Sequence, residues 1–326
     1  MKMNITILGT GAFGLALGNL LHDKSKGKIT LWTTFEEEYL EITSNNTYDK
    51  VLTGIKLASD LKVTLSLTEA LKKPDLIIVA IPCNYVREVL IKLKDYLNSN
   101  SRVLLVSKGL EKSTNYLMHE IYQDLNLKGH VSYLAGPTFA KELIVNSRCG
   151  LTLATKDEMT KNIVLNLFKD TNVEIEITED IIGLELYGVI KNILAILMGS
   201  INSKYQKDST NAYYLTKIYN YAVLLVNSLG GSKKTATCYG ALGDILLTCN
   251  SKNSRNYTYG TLLYLNKEEA KEYLDHFTVE GVVALKALQE RITKINDICP
   301  NIIAVLKNMT NYFNGRDSLD KVIELF

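Results

Sequence analysis

Through the first half of the chain, short runs of β-branched and aliphatic residues alternate with longer segments whose apolar positions recur every three to four residues. The runs at 4–8, 28–32, 75–81, 102–107, 130–135, 150–155 and 173–177 read as strands. In the last of them Val173, Ile175 and Ile177 alternate with Glu174 and Glu176. Helices fill the intervals, as at 11–21 and 84–97. This alternation predicts an α/β domain with a doubly wound parallel sheet covered by helices. From Gly183 onward the β-rich runs almost vanish, and helical spacing continues to Phe326. The change predicts a boundary near Ile181, with a Rossmann-type domain over 1–181 followed by an all-α domain over 182–326. No repeat, low-complexity segment or long Pro/Gly linker separates the halves, so they are expected to pack tightly.

A chain of 326 residues exceeds what one core usually serves, in keeping with two domains. Lysine plus arginine number 37 against 35 aspartates and glutamates, without a long single-sign run, so a nucleic-acid partner has little electrostatic support. The basic stretches at 24–28 and Lys233-Lys234 read as solvated turns. Cys83, Cys149, Cys238, Cys249 and Cys299 show no C-x-x-C spacing. That pattern argues against a metal site and for free thiols in a reducing compartment. The four histidines, His22, His119, His130 and His276, lack paired spacing and read as structural. The N-terminus runs directly into a glycine cluster, with no room for the apolar stretch of a signal peptide. The apolar segment from Gly183 to Gly199 carries Glu185 and Lys191, so no membrane span is expected. A cytoplasmic protein is the expectation.

Gly9-Thr10-Gly11-Ala12-Phe13-Gly14 fits G-x-G-x-x-G and lies after a strand at the opening of a helix. In that setting Gly9 permits a tight turn, Gly11 lets a pyrophosphate approach the backbone, and Gly14 allows helix and strand to pack closely. The freed N–H groups and the helix dipole then attract phosphates. At the end of the second strand an acidic residue would favour NAD and an arginine NADP. The chain reads Trp32-Thr33-Thr34-Phe35-Glu36-Glu37-Glu38. It lacks an arginine, and its glutamates fall slightly late, where they also suit the solvated first turn of a helix. NAD is therefore expected, with NADP possible.

Ligands of open α/β sheets bind beyond the carboxyl ends of the strands. Those ends read Ile81-Pro82, Ser107-Lys108-Gly109 and Ala135-Gly136-Pro137-Thr138. Lys108 suits a substrate oxygen or phosphate, or else an exposed loop. Gly136-Pro137 is equally compatible with a helix-starting turn. In the apolar helix from Gly183 to Gly199, Gly188, Ala195 and Gly199 share a stripe with Lys191 and Asn192, a smooth face suited to the first domain. Burial lowers a lysine's pKa toward the range useful in acid–base work, which makes Lys191 the candidate proton donor; the alternative is a lysine snorkelling to solvent. Asp244 and Thr248 share one helical face, and Asp244 could hold Lys191 or merely cap its helix. Arg255, in Ser254-Arg255-Asn256, offers forked donors for a phosphate, or is a surface arginine.

These segments together resemble the NAD(P)-dependent glycerol-3-phosphate dehydrogenases. The shared stretches are Gly9 to Gly14, Lys108-Gly109-Leu110-Glu111, Gly136 to Glu142, Gly188 to Asn192, Gly240 to Asp244 with Thr248-Cys249, Ser254-Arg255-Asn256, and Glu280-Gly281. They occur in family order along nearly the whole chain. The resemblance implies interconversion of dihydroxyacetone phosphate and sn-glycerol 3-phosphate, feeding glycerophospholipid synthesis, by a cytoplasmic homodimer. It implies Lys191 as the acid–base lysine, supported by Lys108, Asn192, Asp244 and Thr248. For the cofactor it implies Gly9, Gly11, Ala12, Phe13, Gly14, Thr34, Pro82, Lys108, Ala140, Arg255 and Glu280. For the phosphorylated substrate it implies Lys108, Gly136, Thr138, Lys191, Asp244, Ser254, Arg255 and Asn256, with no metal. The stretch after Gly199 departs from the family, which has a glycine-rich loop and then a helix with an arginine followed by Gly-Leu. Here Leu215-Thr216-Lys217-Ile218-Tyr219 follows a glycine-free segment, so a rebuilt loop is expected. A catalytically silent or altered-substrate member of the same fold is the alternative.

Overall fold

The computed structural model describes residues 3–22, 28–295 and 299–326. The expected basic turn at 24–28 lies outside these residues apart from Lys28, while Lys233 and Lys234 are exposed as expected. The chain divides into two compact units, Met1–Lys108 with Met118–Ile181, and Gly109–Leu117 with Ile182–Phe326. The second unit is thus discontinuous, and the boundary near Ile181 does not account for residues 109–117.

Unit 1 contains one sheet of β1 (Ile5–Leu8), β2 (Ile29–Trp32), β3 (Lys62–Thr64), β4 (Leu76–Val79), β5 (Arg102–Leu105), β6 (His130–Ala135), β7 (Cys149–Ala154) and β8 (Val173–Thr178). The spatial order is β3-β2-β1-β4-β5-β6-β7-β8. Helices α1 (Ala12–Leu21), α2 (Glu36–Asn45), α3 (Asp49–Leu52), α4 (Leu67–Ala70), α5 (Val86–Leu93), α6 (Met118–Asp124), α7 (Ala140–Leu143) and α8 (Glu158–Phe168) connect the strands. The central strands β1 and β4 are buried at every position, as continuous apolar runs require when helices cover both faces. Leu15, Leu17 and Leu21 of α1 join Ile5, Ile7, Leu31 and Ile78 in one core.

Three features differ from the sequence reading. Strand β3 was not foreseen, because three residues with Lys62 exposed carry no periodic signal. The pairing of β7 with β6 is antiparallel. Their connection holds only the four-residue α7 and no full crossover helix of the kind that usually joins parallel strands. The helix expected at 84–97 is instead α5 flanked by single 3-10 turns at Cys83–Tyr85 and Lys94–Tyr96.

Unit 2 is built around α9 (Ile181–Tyr205), whose residues from Gly183 to Ile201 are all buried. Around it come α10 (Asp208–Ser228), α11 (Asp244–Asn250), α12 (Arg255–Leu265), α13 (Lys267–His276), α14 (Glu280–Ile292), α15 (Pro300–Phe313) and α16 (Leu319–Ile323). By length and hydropathy α9 passes as a membrane span, in contrast to the sequence expectation, but 83% of its apolar window is buried inside the protein. It is a core helix, apolar on most sides because helices surround it.

At Gly199 the smooth stripe on α9 packs within its own unit, against α12. A Cβ on Gly199 would lie closer than 3.0 Å to the Tyr257 carbonyl oxygen, and one on Gly260 closer than 3.0 Å to that of Ile196. The two glycines let α9 and α12 touch backbone to backbone, where the Ser200 hydroxyl also donates to the Gly260 carbonyl at 2.7 Å. Gly260→Ala is expected to cost about 3 kcal/mol, a fall of roughly 6–12 °C in thermal midpoint. A melt within error of the parent would refute this close crossing.

The rebuilt loop after Gly199 is not a loop. No glycine interrupts the chain between Gly199 and Gly230, so α9 runs on to Tyr205 and α10 begins at Asp208 after two connecting residues. Stacking of Tyr205 on Tyr214 and the Asn202 to Tyr257 hydroxyl bond at 2.7 Å fasten this turn.

Candidate functional site

In unit 1 the glycine turn leaves β1 and enters α1. Gly9 lies at φ 116°, and a Cβ there would press on the Ala80 carbonyl closer than 3.0 Å. A Cβ on Gly14 would likewise collide with the Gly9 carbonyl oxygen. Gly11, in contrast, has nothing within 4 Å of its Cβ position. No side chain caps α1 at Gly11. The positive helix end and its first N–H groups therefore suit an anion, and the room at Gly11 suits the approach of a pyrophosphate. The residues fit a dinucleotide.

Ala12 and Phe13 are half-buried against the same core as Ala140, which starts α7 where that helix packs on α1. Thr34 is exposed just past β2, and Pro82 is exposed past β4. The Ser107 hydroxyl donates to the Ile81 carbonyl at 2.5 Å and joins the ends of β4 and β5. Lys108 follows, half-buried. At the end of β6, Gly136 is buried where a Cβ would meet the Gly150 carbonyl oxygen, and Thr138 is half-buried beyond it. Gly136 is thus required by strand packing, whatever follows it.

The solvated-glutamate alternative does not hold for Glu38. Its carboxylate accepts hydrogen bonds from the hydroxyls of Thr10, of Thr33 at 2.6 Å and of Tyr48 at 3.1 Å. Sequence reasoning missed this cluster because Tyr48 stands ten residues from Glu38, a spacing with no periodic meaning.

In unit 2 the polar groups of α9 have built-in partners. Lys191 is 9% exposed and Asp244 1%, and the lysine Nζ donates to the aspartate Oδ1 at 2.6 Å. The lysine is therefore paired in the interior rather than snorkelling, and Asp244 meets it rather than capping a helix. A π-helical turn, Tyr239–Gly243, leads directly into α11, whose first residue is Asp244. Such turns commonly mark positions where a side chain is re-aimed for function. The Thr248 hydroxyl donates to the Asp244 backbone carbonyl at 2.6 Å, holding the turn beneath the carboxylate. Burial pushes the neighbouring Cys249 thiol up, despite the charge of Lys191, so it stays protonated.

Asn192 begins a second chain of contacts. Its Nδ2 donates to Glu280 Oε2 at 2.9 Å, and its Oδ1 accepts from Asn256 Nδ2 at 3.0 Å. Asn256 Oδ1 in turn accepts from the Gly281 N–H at 2.9 Å, joining α9, α12 and the start of α14. Ser254 caps α12 by accepting from the Tyr257 N–H at 3.3 Å, and Arg255 stands exposed at its first position. Residues 109–117 are fastened to α14, where Asn115 Nδ2 donates to Glu290 Oε2 at 2.9 Å and Arg291 Nη1 to the Asn115 carbonyl at 3.2 Å. Among the described residues no group of three or more His, Cys, Asp or Glu is placed to hold a metal.

The structure thus brings Gly9, Gly11, Ala12, Phe13, Gly14 and Ala140 together in unit 1, and joins Lys191 to Asp244 and Asn192 to Asn256 and Glu280 in unit 2. A family model for the N-terminus of NAD-dependent glycerol-3-phosphate dehydrogenase matches residues 4–161, and one for the C-terminus matches residues 180–318. A glycerol-3-phosphate dehydrogenase (NAD(P)+) of Clostridium tetani is 30% identical over 323 residues, covering 98% of this chain and 91% of the relative. One of Leptospira biflexa is 32% identical over 286 residues, covering 86% and 85%. The crystal structure of glycerol-3-phosphate dehydrogenase from Coxiella burnetii superposes with a TM-score of 0.85 at 24% identity, covering 99% of this chain and 98% of that one, a likeness of fold. With both of its units matched and relatives aligned along nearly their full length, the chain belongs to the NAD(P)-dependent glycerol-3-phosphate dehydrogenase family.

Proposed function

We propose that the protein interconverts dihydroxyacetone phosphate and sn-glycerol 3-phosphate, with Lys191 as the general acid and base. The observation that carries the reading is the buried Lys191–Asp244 pair, an ammonium held in the interior against a carboxylate. Burying an ammonium alone is costly, and Asp244 offsets that cost while fixing the direction of Nζ.

The glycine turn, with Ala12, Phe13, Thr34, Pro82 and Ala140, is the part of unit 1 that would hold the dinucleotide. When bound, the nicotinamide supplies the hydride to the ketone carbon or takes it from the alcohol. During reduction Lys191 Nζ gives a proton to the substrate oxygen as it becomes an alkoxide; during oxidation the amine receives it back. Asn192 is held by Asn256 and Glu280, so a group bonded to this chain meets a fixed amide. Arg255, exposed at the start of α12, is assigned to the substrate phosphate with Asn256 and the capping Ser254 beside it. Lys108, Gly136 and Thr138 are assigned to the same substrate, Glu280 to the cofactor, and Thr248 to support of Asp244. The reading includes action in the cytoplasm as a homodimer and a product that feeds glycerophospholipid synthesis, both implied by the family resemblance.

The test is consumption of reduced dinucleotide with dihydroxyacetone phosphate against dihydroxyacetone itself. The phosphate is expected to improve kcat/KM by about a hundredfold or more, and Arg255→Ala to lose most of that gain through KM. Equal turnover of the two ketones would remove the substrate assignment. The helical continuation of α9 to Tyr205 favours the altered-substrate reading as the alternative. That reading would be met by oxidation of another phosphorylated or 2-hydroxy compound in preference to glycerol 3-phosphate.

A further inference from the structure

We infer that Glu38 makes this chain select an unphosphorylated adenosine ribose, and hence NAD(H) over NADP(H). The inference rests on the dinucleotide reading of the glycine turn and narrows it. Glu38 lies in the first turn of α2, and its carboxylate is fixed from three sides. Oε2 accepts from the hydroxyls of Thr10, in the middle of the glycine turn, and of Thr33, the residue after β2. Oε1 accepts from the Tyr48 hydroxyl. Burial, with the charge of Glu38 added, pushes the Tyr48 phenol up to about 12, so it keeps its proton and donates.

Each of these three hydroxyls therefore gives its one proton to Glu38. A hydroxyl that has done so can only accept from anything else it meets. The cluster offers a ligand one negative charge, spare lone pairs and no donor. It stands between the first glycine turn and the carboxyl end of β2, where the adenosine ribose lies in folds of this class. A ribose 2′-hydroxyl brings the proton that such a cluster lacks. A 2′-phosphate brings acceptor oxygens and roughly −1.5 to −2 units of charge, and needs a cation to meet it.

None is close in sequence: from residue 29 to 49 there is no lysine or arginine, and Glu36, Glu37 and Glu41 share α2 with Glu38. On the neighbouring strand, Lys62 sits at the opposite end of β3, beside Thr30, and is paired with Glu69 at 2.7 Å. The bulk of the selection is thus repulsion of the phosphate, with acceptance of the hydroxyl adding to it.

The experiment is a titration of the unmodified protein with NADH and with NADPH, read by reduced-nicotinamide fluorescence. Competition by ADP-ribose and by 2′-phospho-ADP-ribose is then measured, and none of these readings needs turnover. NADH is expected to bind at least about tenfold more tightly than NADPH, and ADP-ribose to show the same advantage over its phosphorylated form. Glu38→Gln, which keeps an acceptor and loses the charge, is expected to shrink the ratio by about tenfold, mainly through tighter NADPH binding. Equal or reversed affinities in the unmodified protein overturn the inference and leave the dinucleotide reading standing, as does an unchanged ratio in a folded Glu38→Gln protein. Failure of both dinucleotides to bind overturns both. If Glu38→Gln does not fold, the two ADP-ribose competitions decide the matter alone.

Discussion

Lys191→Ala is expected to lower kcat by about a thousandfold or more while NADH affinity stays within about twofold. Removing a general acid takes away a proton that the transition state needs, and the glycine turn that would hold the dinucleotide belongs to the other unit. The substitution also leaves Asp244 buried without its cation, a loss of about 3–5 kcal/mol. A fall in stability is therefore expected alongside the fall in rate, and the two have to be told apart. The double variant Lys191→Ala with Asp244→Asn removes the stranded charge, so its melting temperature should recover toward the parent. Its turnover should not. Rapid turnover in either variant, measured on protein shown to be folded, would take the proton-transfer role away from Lys191.

Gly14→Ala should weaken NADH binding by about a hundredfold or more, because the added methyl can be housed only by opening the turn. Its Cβ would collide with the carbonyl oxygen of Gly9, which is itself confined by the Ala80 backbone and by a left-handed φ. Shifting that carbonyl redirects the first N–H groups of α1, the donors a pyrophosphate needs. Gly11→Ala serves as the contrast. Its methyl meets no protein atom within 4 Å, so the melt should hardly move, yet it occupies the approach to those same donors. Stability is expected to fall with Gly14→Ala only, and binding to fall with both. Isothermal titration with NADH checks this, and parental affinity in Gly14→Ala would mean that the turn does not carry the dinucleotide.

The parts of this chain that could be read from sequence are those governed by short-range rules. Strands such as β4 are buried at every position, so their apolar runs stand out between amphipathic helices. The glycine turn declares itself by its spacing and its place after β1, which follow from steric demands on Gly9 and Gly14 and from the open room kept at Gly11. Asp244 as a partner for Lys191 was legible only as one of two options, since the residues are 53 apart and the π-helical turn that aims the carboxylate leaves no mark in periodicity. The Asn192, Asn256 and Glu280 chain was absent from the reading of residues for the same reason, as it joins three helices distant in sequence. Where the reading misjudged packing, at Gly199, spacing identified a smooth face correctly but could not say which neighbour used it. The rebuilt stretch after Gly199 was recognised as different without its shape being foreseen, although the lack of glycine from 200 to 229 is itself the signal for continued helix.

Translation delivers residues 109–117 long before the helical bundle into which they pack. A nascent chain that has completed all eight strands still carries Leu110 and Leu117, both buried in the finished protein, with the body of their unit not yet synthesised. Docking of this early-made segment therefore waits on the last-made portion of its own unit, since Asn115 finds Glu290 and Arg291 only when α14 has emerged. A gene split after residue 181 would separate that strap from its anchorage, so independent expression of the two pieces should give a C-terminal fragment lacking one of its own walls.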